Sequence, residues 1–202
     1  MPRHLFPSLS GAGAEALLDA TASVPWERPV HAARLALLRR LAGPGELSVH
    51  VACGSDRLGF IDVACGLTTI LTDTDHAALT ILSQQFAEIE LRLGPFVGSL
   101  QWRCLAVEDL LSPAGFGAGV VHHLTLQNLF NAHLHPPHVQ PKIIDLLLGV
   151  MADGGSVFIT ASEAAVLTKR APIYGVRLAT LAQMPGYYDE DVVMLQISIT
   201  PQ

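Results

Sequence analysis

The apolar residues of this chain follow two different periods. Short apolar runs predict β-strands at 47–53, 69–72, 100–105, 119–124, 156–161 and 192–200. Longer windows place apolar residues three or four positions apart and predict helices at 58–65, 76–93 and 141–151. Strands that alternate with helices form parallel sheets covered on both faces, because each crossover helix packs back onto the sheet. The pattern therefore predicts an α/β fold with a doubly wound, mostly parallel sheet.

The first 45 residues do not follow this alternation. Two segments, 11–23 and 31–41, have helical spacing, and the Gly-Pro-Gly sequence at 43–45 ends the second. We expect an N-terminal helical cap at 1–45 and one compact sheet domain at 46–202. Doubly wound sheets bind ligands beyond the carboxyl ends of their strands, where the strand order reverses. Functional residues are therefore expected just after Val51, Leu71, Leu105 and Val121.

Composition narrows the class of protein. Of 202 residues, 50% are hydrophobic and 15% are charged, which excludes a disordered chain. The net charge of −6 argues against a protein that binds nucleic acid through a basic face. No apolar stretch approaches the roughly 18 residues of a membrane-spanning helix, and the three cysteines are odd in number and scattered. We expect a cytoplasmic protein with reduced thiols, with no membrane contact, whose apolar surface is covered by a homodimer contact or a protein partner.

Four segments occur in an order that resembles one known family. They are 49–58 with its glycine, 70–75 ending in acidic residues, 104–110, and the Asp-Gly-Gly turn within 150–159. Together they are similar to the class I S-adenosylmethionine-dependent methyltransferases, whose domain is a Rossmann-like sheet. Gly54 precedes Asp73 by nineteen positions, close to the roughly 20 between a glycine loop and its ribose-binding acid.

The resemblance implies S-adenosylmethionine as cofactor and a small-molecule methyl acceptor. It assigns the methionine end of the cofactor to the loop residues Ala52, Cys53, Gly54 and Asp56. It assigns the ribose to Asp73, with Asp75 as the second candidate, and the adenine to Val107, Glu108 and Asp109. A carboxylate can accept both ribose hydroxyls through charge-assisted hydrogen bonds.

This sequence departs from the family's pattern at four positions. His50 stands where the family usually has an acid, Ala52 and Asp56 stand where it has glycine, and the acid that the family has near Ala106 is missing. A non-glycine residue held at positive φ costs about 1–3 kcal/mol. Two functions therefore stay open: a methyltransferase that acts on a small molecule, and a non-catalytic methyltransferase-like protein that serves as a binding or partner subunit.

Histidines supply the remaining candidate chemistry. His122 and His123 close the predicted fourth strand, where the resemblance places residues that contact the acceptor, and a histidine there suits proton abstraction near neutral pH. The alternative is a histidine that bonds backbone at a strand end. His133, His135 and His138 lie in a proline-containing loop, for which a solvated loop or lid is favoured over a metal site.

Overall fold

The computed structural model describes residues 11–112, 114–126, 129, 138–185 and 191–199. Its helices are α1 (Gly11–Thr21), α2 (Glu27–Leu41), α3 (Leu58–Ala64), α4 (His76–Leu93), α5 (Gln140–Val150) and α6 (Ala161–Arg170). Its strands are β1 (Leu47–Val51), β2 (Thr68–Asp73), β3 (Ser99–Cys104), β4 (Val121–Leu126), β5 (Met151–Thr160), β6 (Val176–Pro185) and β7 (Asp191–Ile199). Short 3₁₀ turns occupy Val107–Asp109 and Ala171–Tyr174.

The seven strands form one sheet in the order β3-β2-β1-β4-β5-β7-β6. The first five strands are parallel, whereas β7 runs antiparallel to β5 and β6 antiparallel to β7. The strand order reverses between β1 and β4, so the carboxyl ends of these two strands form the topological switch point. The predicted doubly wound, mostly parallel sheet is confirmed, with an antiparallel hairpin at one edge.

Three parts of the chain differ from the pattern-based prediction. Strand β5 begins at Met151 instead of position 156, so it includes the Gly154-Gly155 pair that was predicted as a turn. The fourth strand begins at Val121 instead of position 119, because Gly119 adopts φ +67° and donates its N–H to the carbonyl of Gly149 at 3.0 Å, which makes it a turn residue. The region after position 161, which the sequence left as mixed structure, forms α6 and the edge strand β6. Strand β6 hydrogen-bonds β7 alone, and its residues are partly exposed, so it lacks the continuous apolar run of a central strand.

Buried apolar residues cover both faces of the sheet. One cluster joins α5 and α6 to the sheet through Ile143, Leu147 and Leu167. A second cluster joins α1, α2 and α3 to the other face through residues such as Leu17 and Leu38. Helices α1 and α2 therefore pack on the same face of the sheet as α3. In the part of the chain that the structure describes, no helix combines the length and the apolar character needed to cross a membrane.

A buried ion pair fastens α2 to α3. The guanidinium of Arg34 donates from Nε and Nη2 to the two carboxylate oxygens of Asp62, at 3.0 and 2.7 Å, and both side chains are fully buried. Asp62 also accepts hydrogen bonds from Ser48 and His50 of β1, and Arg34 lies 5.3 Å from the ring centroid of Phe158. Burial acts to raise the pKa of Asp62, but the charge of Arg34 and the contact with His50 outweigh it and hold that pKa far below its usual range.

Candidate functional site

The loop after β1 contains two residues in left-handed backbone conformation. Ala52 and Gly54 each have φ +52°, and Ala52 is the one non-glycine residue with positive φ among the described residues. The loop is closed by hydrogen bonds from the N–H of Cys53 to the carbonyl of Thr72 at 3.0 Å and from the N–H of Asp56 to the carbonyl of Cys53 at 2.9 Å. A Cβ at Gly54 would meet no atom within 4 Å, so the space above this loop is open.

Asp73, the last residue of β2, connects three loops at the carboxyl edge of the sheet. Its Oδ2 accepts the N–H of Gly54 at 2.7 Å, and its Oδ1 accepts the N–H of Asp75 at 2.8 Å. Its backbone carbonyl accepts the N–H of Leu105, which follows β3, at 3.1 Å. A carboxylate offers about four acceptor positions, so these two amide contacts leave Asp73 able to accept further donors. The side chain is half-buried at the switch-point edge.

The other two carboxylates near this loop have local structural partners. Asp75 is the N-cap of α4, and its Oδ1 accepts the N–H groups of Ala77 at 2.8 Å and Ala78 at 3.2 Å. Asp56 accepts the N–H of Leu58 at 2.8 Å, at the start of α3. Both carboxylates therefore stabilise helix starts, as short acidic side chains commonly do. Their predicted contact with a cofactor stays a prediction.

The residues predicted to line the adenine and methionine ends of the cofactor differ in how far their side chains are buried. Val107 is buried, whereas Glu108 and Asp109 in the same 3₁₀ turn are exposed. Cys53 is buried, and burial together with the charges of Asp73 and Asp56 raises the pKa of its thiol to about 12. The thiol is therefore protonated at neutral pH, which makes Cys53 a small packing residue and not a nucleophile.

His122 and His123 lie near the amino ends of the strands, whereas Asp73 lies at the carboxyl ends. Because β4 runs from Val121 to Leu126, His122 and His123 belong to its amino end. His123 is in register with Ser48 at the start of β1, and a strand rises about 3.3 Å per residue, so roughly 10 Å of strand separates His123 from the carboxyl edge. The prediction that these two histidines close the fourth strand is therefore wrong, whereas their predicted contact with an acceptor stays a prediction.

Most of the histidine-containing loop lies outside the residues that the structure describes. His133 and His135 are outside the described residues, and His138 is exposed. Across the described ranges, no group of three or more His, Cys, Asp or Glu side chains is arranged to hold a metal ion.

His31 of α2 lies beside the loop after β1, which the sequence analysis did not predict. Its side chain is fully buried, its Nδ1 lies 3.0 Å from Thr21 Oγ1, and its Nε2 lies 4.0 Å from a carboxylate oxygen of Asp56. Burial, reinforced by the charge of Arg57, lowers the pKa of His31 to about 4. A neutral imidazole of the N-terminal helices thus faces the loop after β1. The available signal was the position of His31 on the apolar face of α2, three residues before Arg34.

No protein-family model and no curated protein matches the sequence. In fold, the chain is similar to TYW2 from P. horikoshii, solved in complex with MeSAdo, with a TM-score of 0.60 and 13% identity over 85% of this chain. The match covers 64% of the TYW2 chain, so this protein spans less than two thirds of that structure.

Two further structures match over nearly their whole length. The N-methyltransferase NodS from Bradyrhizobium japonicum WM9 gives a TM-score of 0.61 and 13% identity, covering 89% of this chain and 99% of NodS. An rRNA methylase from Streptococcus thermophilus gives 0.56 and 14%, with the same two coverages. The strand order and these likenesses show that the chain has the class I methyltransferase fold.

Proposed function

We propose that this protein binds S-adenosylmethionine and transfers its methyl group to a small-molecule acceptor. The observation that carries the proposal is Asp73, whose carboxylate stands at the carboxyl end of β2 and is held there by the N–H groups of Gly54 and Asp75. A carboxylate fixed beside a glycine loop, next to the point where the strand order reverses, suits a ribose that donates two hydroxyls.

The residues around Asp73 fit such a cofactor. The side chain of Ala52 is exposed, and no atom lies within 4 Å of the Cβ position at Gly54, so the loop leaves room for a ligand against its backbone. Hydrogen bonds from two hydroxyls to a charged carboxylate contribute about 1.5–3 kcal/mol each. Asp73 would hold the ribose, the loop containing Gly54 would hold the methionine end, and the buried side chain of Val107 supports the apolar wall on the adenine side.

The contribution of this chain to catalysis is then mainly positioning. When bound, S-adenosylmethionine supplies a methyl group activated by its sulfonium. Orientation of a reacting pair can lower a barrier by roughly 7–11 kcal/mol, and a base is needed only where the acceptor must lose a proton. Since His122 and His123 lie at the opposite edge, we assign no base to the transfer.

The net charge supports a small acceptor over a nucleic acid. Twelve basic residues against eighteen acidic ones give −6, and proteins that bind nucleic acid neutralise phosphates with basic side chains. One of the similar structures is an rRNA methylase, so RNA belongs among the acceptors to be tested. The non-catalytic alternative draws support from Ala52 in a strained conformation and from His50, which is buried against Asp62.

Calorimetric titration with S-adenosylmethionine and S-adenosylhomocysteine tests cofactor binding. We expect saturable binding that Asp73→Asn weakens by about 10- to 100-fold, because the neutral amide loses charge-assisted contacts. Glu88→Gln is the control, since it neutralises an exposed carboxylate on α4 that is assigned to no binding site, and its affinity should stay within about threefold of wild type. Wild-type affinity in Asp73→Asn would refute the assignment, and no binding at millimolar ligand by the folded protein would favour the non-catalytic alternative.

The acceptor class is tested separately with cofactor that carries a radiolabelled methyl group. Incubation with a small-molecule extract and with total RNA should place the label in the low-molecular-weight fraction and leave the RNA unlabelled. Label that appears in RNA and is released by ribonuclease would overturn the small-molecule part of the proposal while leaving the methyltransferase part intact.

A further inference from the structure

A second polar site lies at the amino ends of the central strands, away from Asp73. His123 of β4 is buried between two partners from neighbouring segments of the sheet. Its Nδ1 lies 2.8 Å from the hydroxyl oxygen of Ser156 in β5, and its Nε2 lies 2.9 Å from the carboxylate of Glu46, which directly precedes β1. A serine, a histidine and a glutamate are thus joined in one chain of hydrogen bonds across three adjacent strands.

The negative charge of Glu46 decides which ring nitrogen of His123 donates a hydrogen bond to it. Its hydrogen bond with His123 leads the effects that lower the pKa of Glu46 to about 2, so the carboxylate is ionised at neutral pH. An ionised carboxylate only accepts hydrogen bonds, so Nε2 of His123 carries the proton and donates it to Glu46. When the imidazole is neutral, which is the form that can act as a base, Nδ1 accepts a hydrogen bond from the hydroxyl of Ser156.

The three residues border a cavity of about 350 Å³. The C-terminal end of α2 contributes Arg40 to its wall, and Gly155 of β5 also lines it. A Cβ at Gly155 would lie 2.7 Å from the carbonyl of His122, so only glycine fits beside the hydroxyl. The volume is within the range that holds small organic ligands.

We propose that Ser156, His123 and Glu46 form a second active site, which hydrolyses small carboxylic esters. This arrangement has the components of a serine–histidine–acid triad, in which a base within hydrogen-bond reach activates a hydroxyl and an acid orients the base. The site uses no residue of the carboxyl edge, and it does not depend on the proposed methyltransferase function.

The reaction balances with water as the co-reactant. The oxygen of Ser156 forms a bond to the ester carbonyl carbon, and its proton passes to Nδ1 of His123. The bond to the alkoxy group breaks, and the alcohol leaves with that proton. Water then attacks the acyl-serine, again giving its proton to His123, which returns the proton to Ser156 as the carboxylic acid is released. Glu46 is a positioning residue, because it acts on the reaction through His123, which it orients.

The experiment combines hydrolysis of p-nitrophenyl acetate with labelling by a fluorophosphonate and peptide mass spectrometry. We expect label on Ser156 in the wild-type protein and none in Ser156→Ala. His123→Asn should slow hydrolysis by at least a hundredfold, the contribution typical of a general base. Glu46→Gln should lower kcat and change KM by less than twofold. Ser99→Ala, at an exposed serine on the edge strand β3, should keep full labelling and activity.

A second variant covers the case in which Ser156→Ala fails to fold. Ser156→Cys keeps a nucleophile of similar size beside Nδ1 of His123. Its thiol should react with iodoacetamide faster than the exposed Cys104 of the same chain, because His123 accepts its proton. Folded wild-type protein without label on Ser156, or hydrolysis that continues unchanged in Ser156→Ala, would overturn the proposal.

Discussion

Replacement of Arg34 by methionine tests how the N-terminal helices are attached to the sheet domain. Methionine keeps an unbranched apolar stem but removes the guanidinium, so the carboxylate of Asp62 stays fully buried with only Ser48 and His50 as partners. Removal of one partner from a buried ion pair costs about 3–5 kcal/mol. For a protein of this size each kcal/mol lowers Tm by roughly 2–4 °C, so Tm should fall by about 10 °C.

A double-mutant cycle measured by urea denaturation supplies the assay. Arg34→Met and Asp62→Asn should each lower the free energy of unfolding by several kcal/mol, because each leaves one unpaired charge in the core. The double variant leaves no buried charge and should be less destabilised than the sum of the two single changes. The control is Arg28→Met, since Arg28 also forms ion pairs with carboxylates, those of Asp19 and Glu15, but at the surface. Its effect should be small.

Two results would refute this reasoning. One is a cost for Arg34→Met no larger than that for Arg28→Met, which would mean that the buried pair does not hold α2 on α3. The other is additivity of the two single changes, which would mean that the charges of Arg34 and Asp62 do not act on each other.

Three further predictions concern the loop after β1 and its surroundings. The pKa of His31 falls from 6.5 to about 4 on folding, so the unfolded state takes up a proton at a higher pH than the folded state does. The free energy of unfolding should therefore drop by about 3 kcal/mol as pH falls from 6.5 to 4. Denaturation curves of His31→Gln should lack that pH dependence. Gly54→Ala should destabilise the fold by about 1 kcal/mol, and Ala52→Gly should stabilise it by up to about 1 kcal/mol, since both positions have φ +52°; urea midpoints that move in the opposite directions would contradict this. Iodoacetamide at pH 8 should modify the exposed Cys104 and spare Cys53, whose thiol is buried and has a pKa near 12; peptide mass spectrometry reads out both sites.

Local signals were sufficient where neighbouring residues decide the conformation. Helix α4 was predicted at 76–93 and runs from His76 to Leu93, because Asp75 caps its first turn and Gly94, followed by proline, ends it. Gly54 and Asp73 are hydrogen-bonded because they lie at the carboxyl ends of adjacent parallel strands, and the cofactor contacts expected from their spacing stay a prediction.

The sequence by itself thus predicted the order of strands, the fold and the position of the loop beside Asp73. It could do so because apolar periodicity and turn residues act over a few positions of the chain. Only the tertiary structure decided which edge of the sheet each polar side chain occupies. Strand β4 lies two residues later in the chain than predicted, so His123 is near its amino end instead of its carboxyl end. There it lies between Glu46 and Ser156. These partners are far apart in the chain, and strand register alone brings them within hydrogen-bond distance.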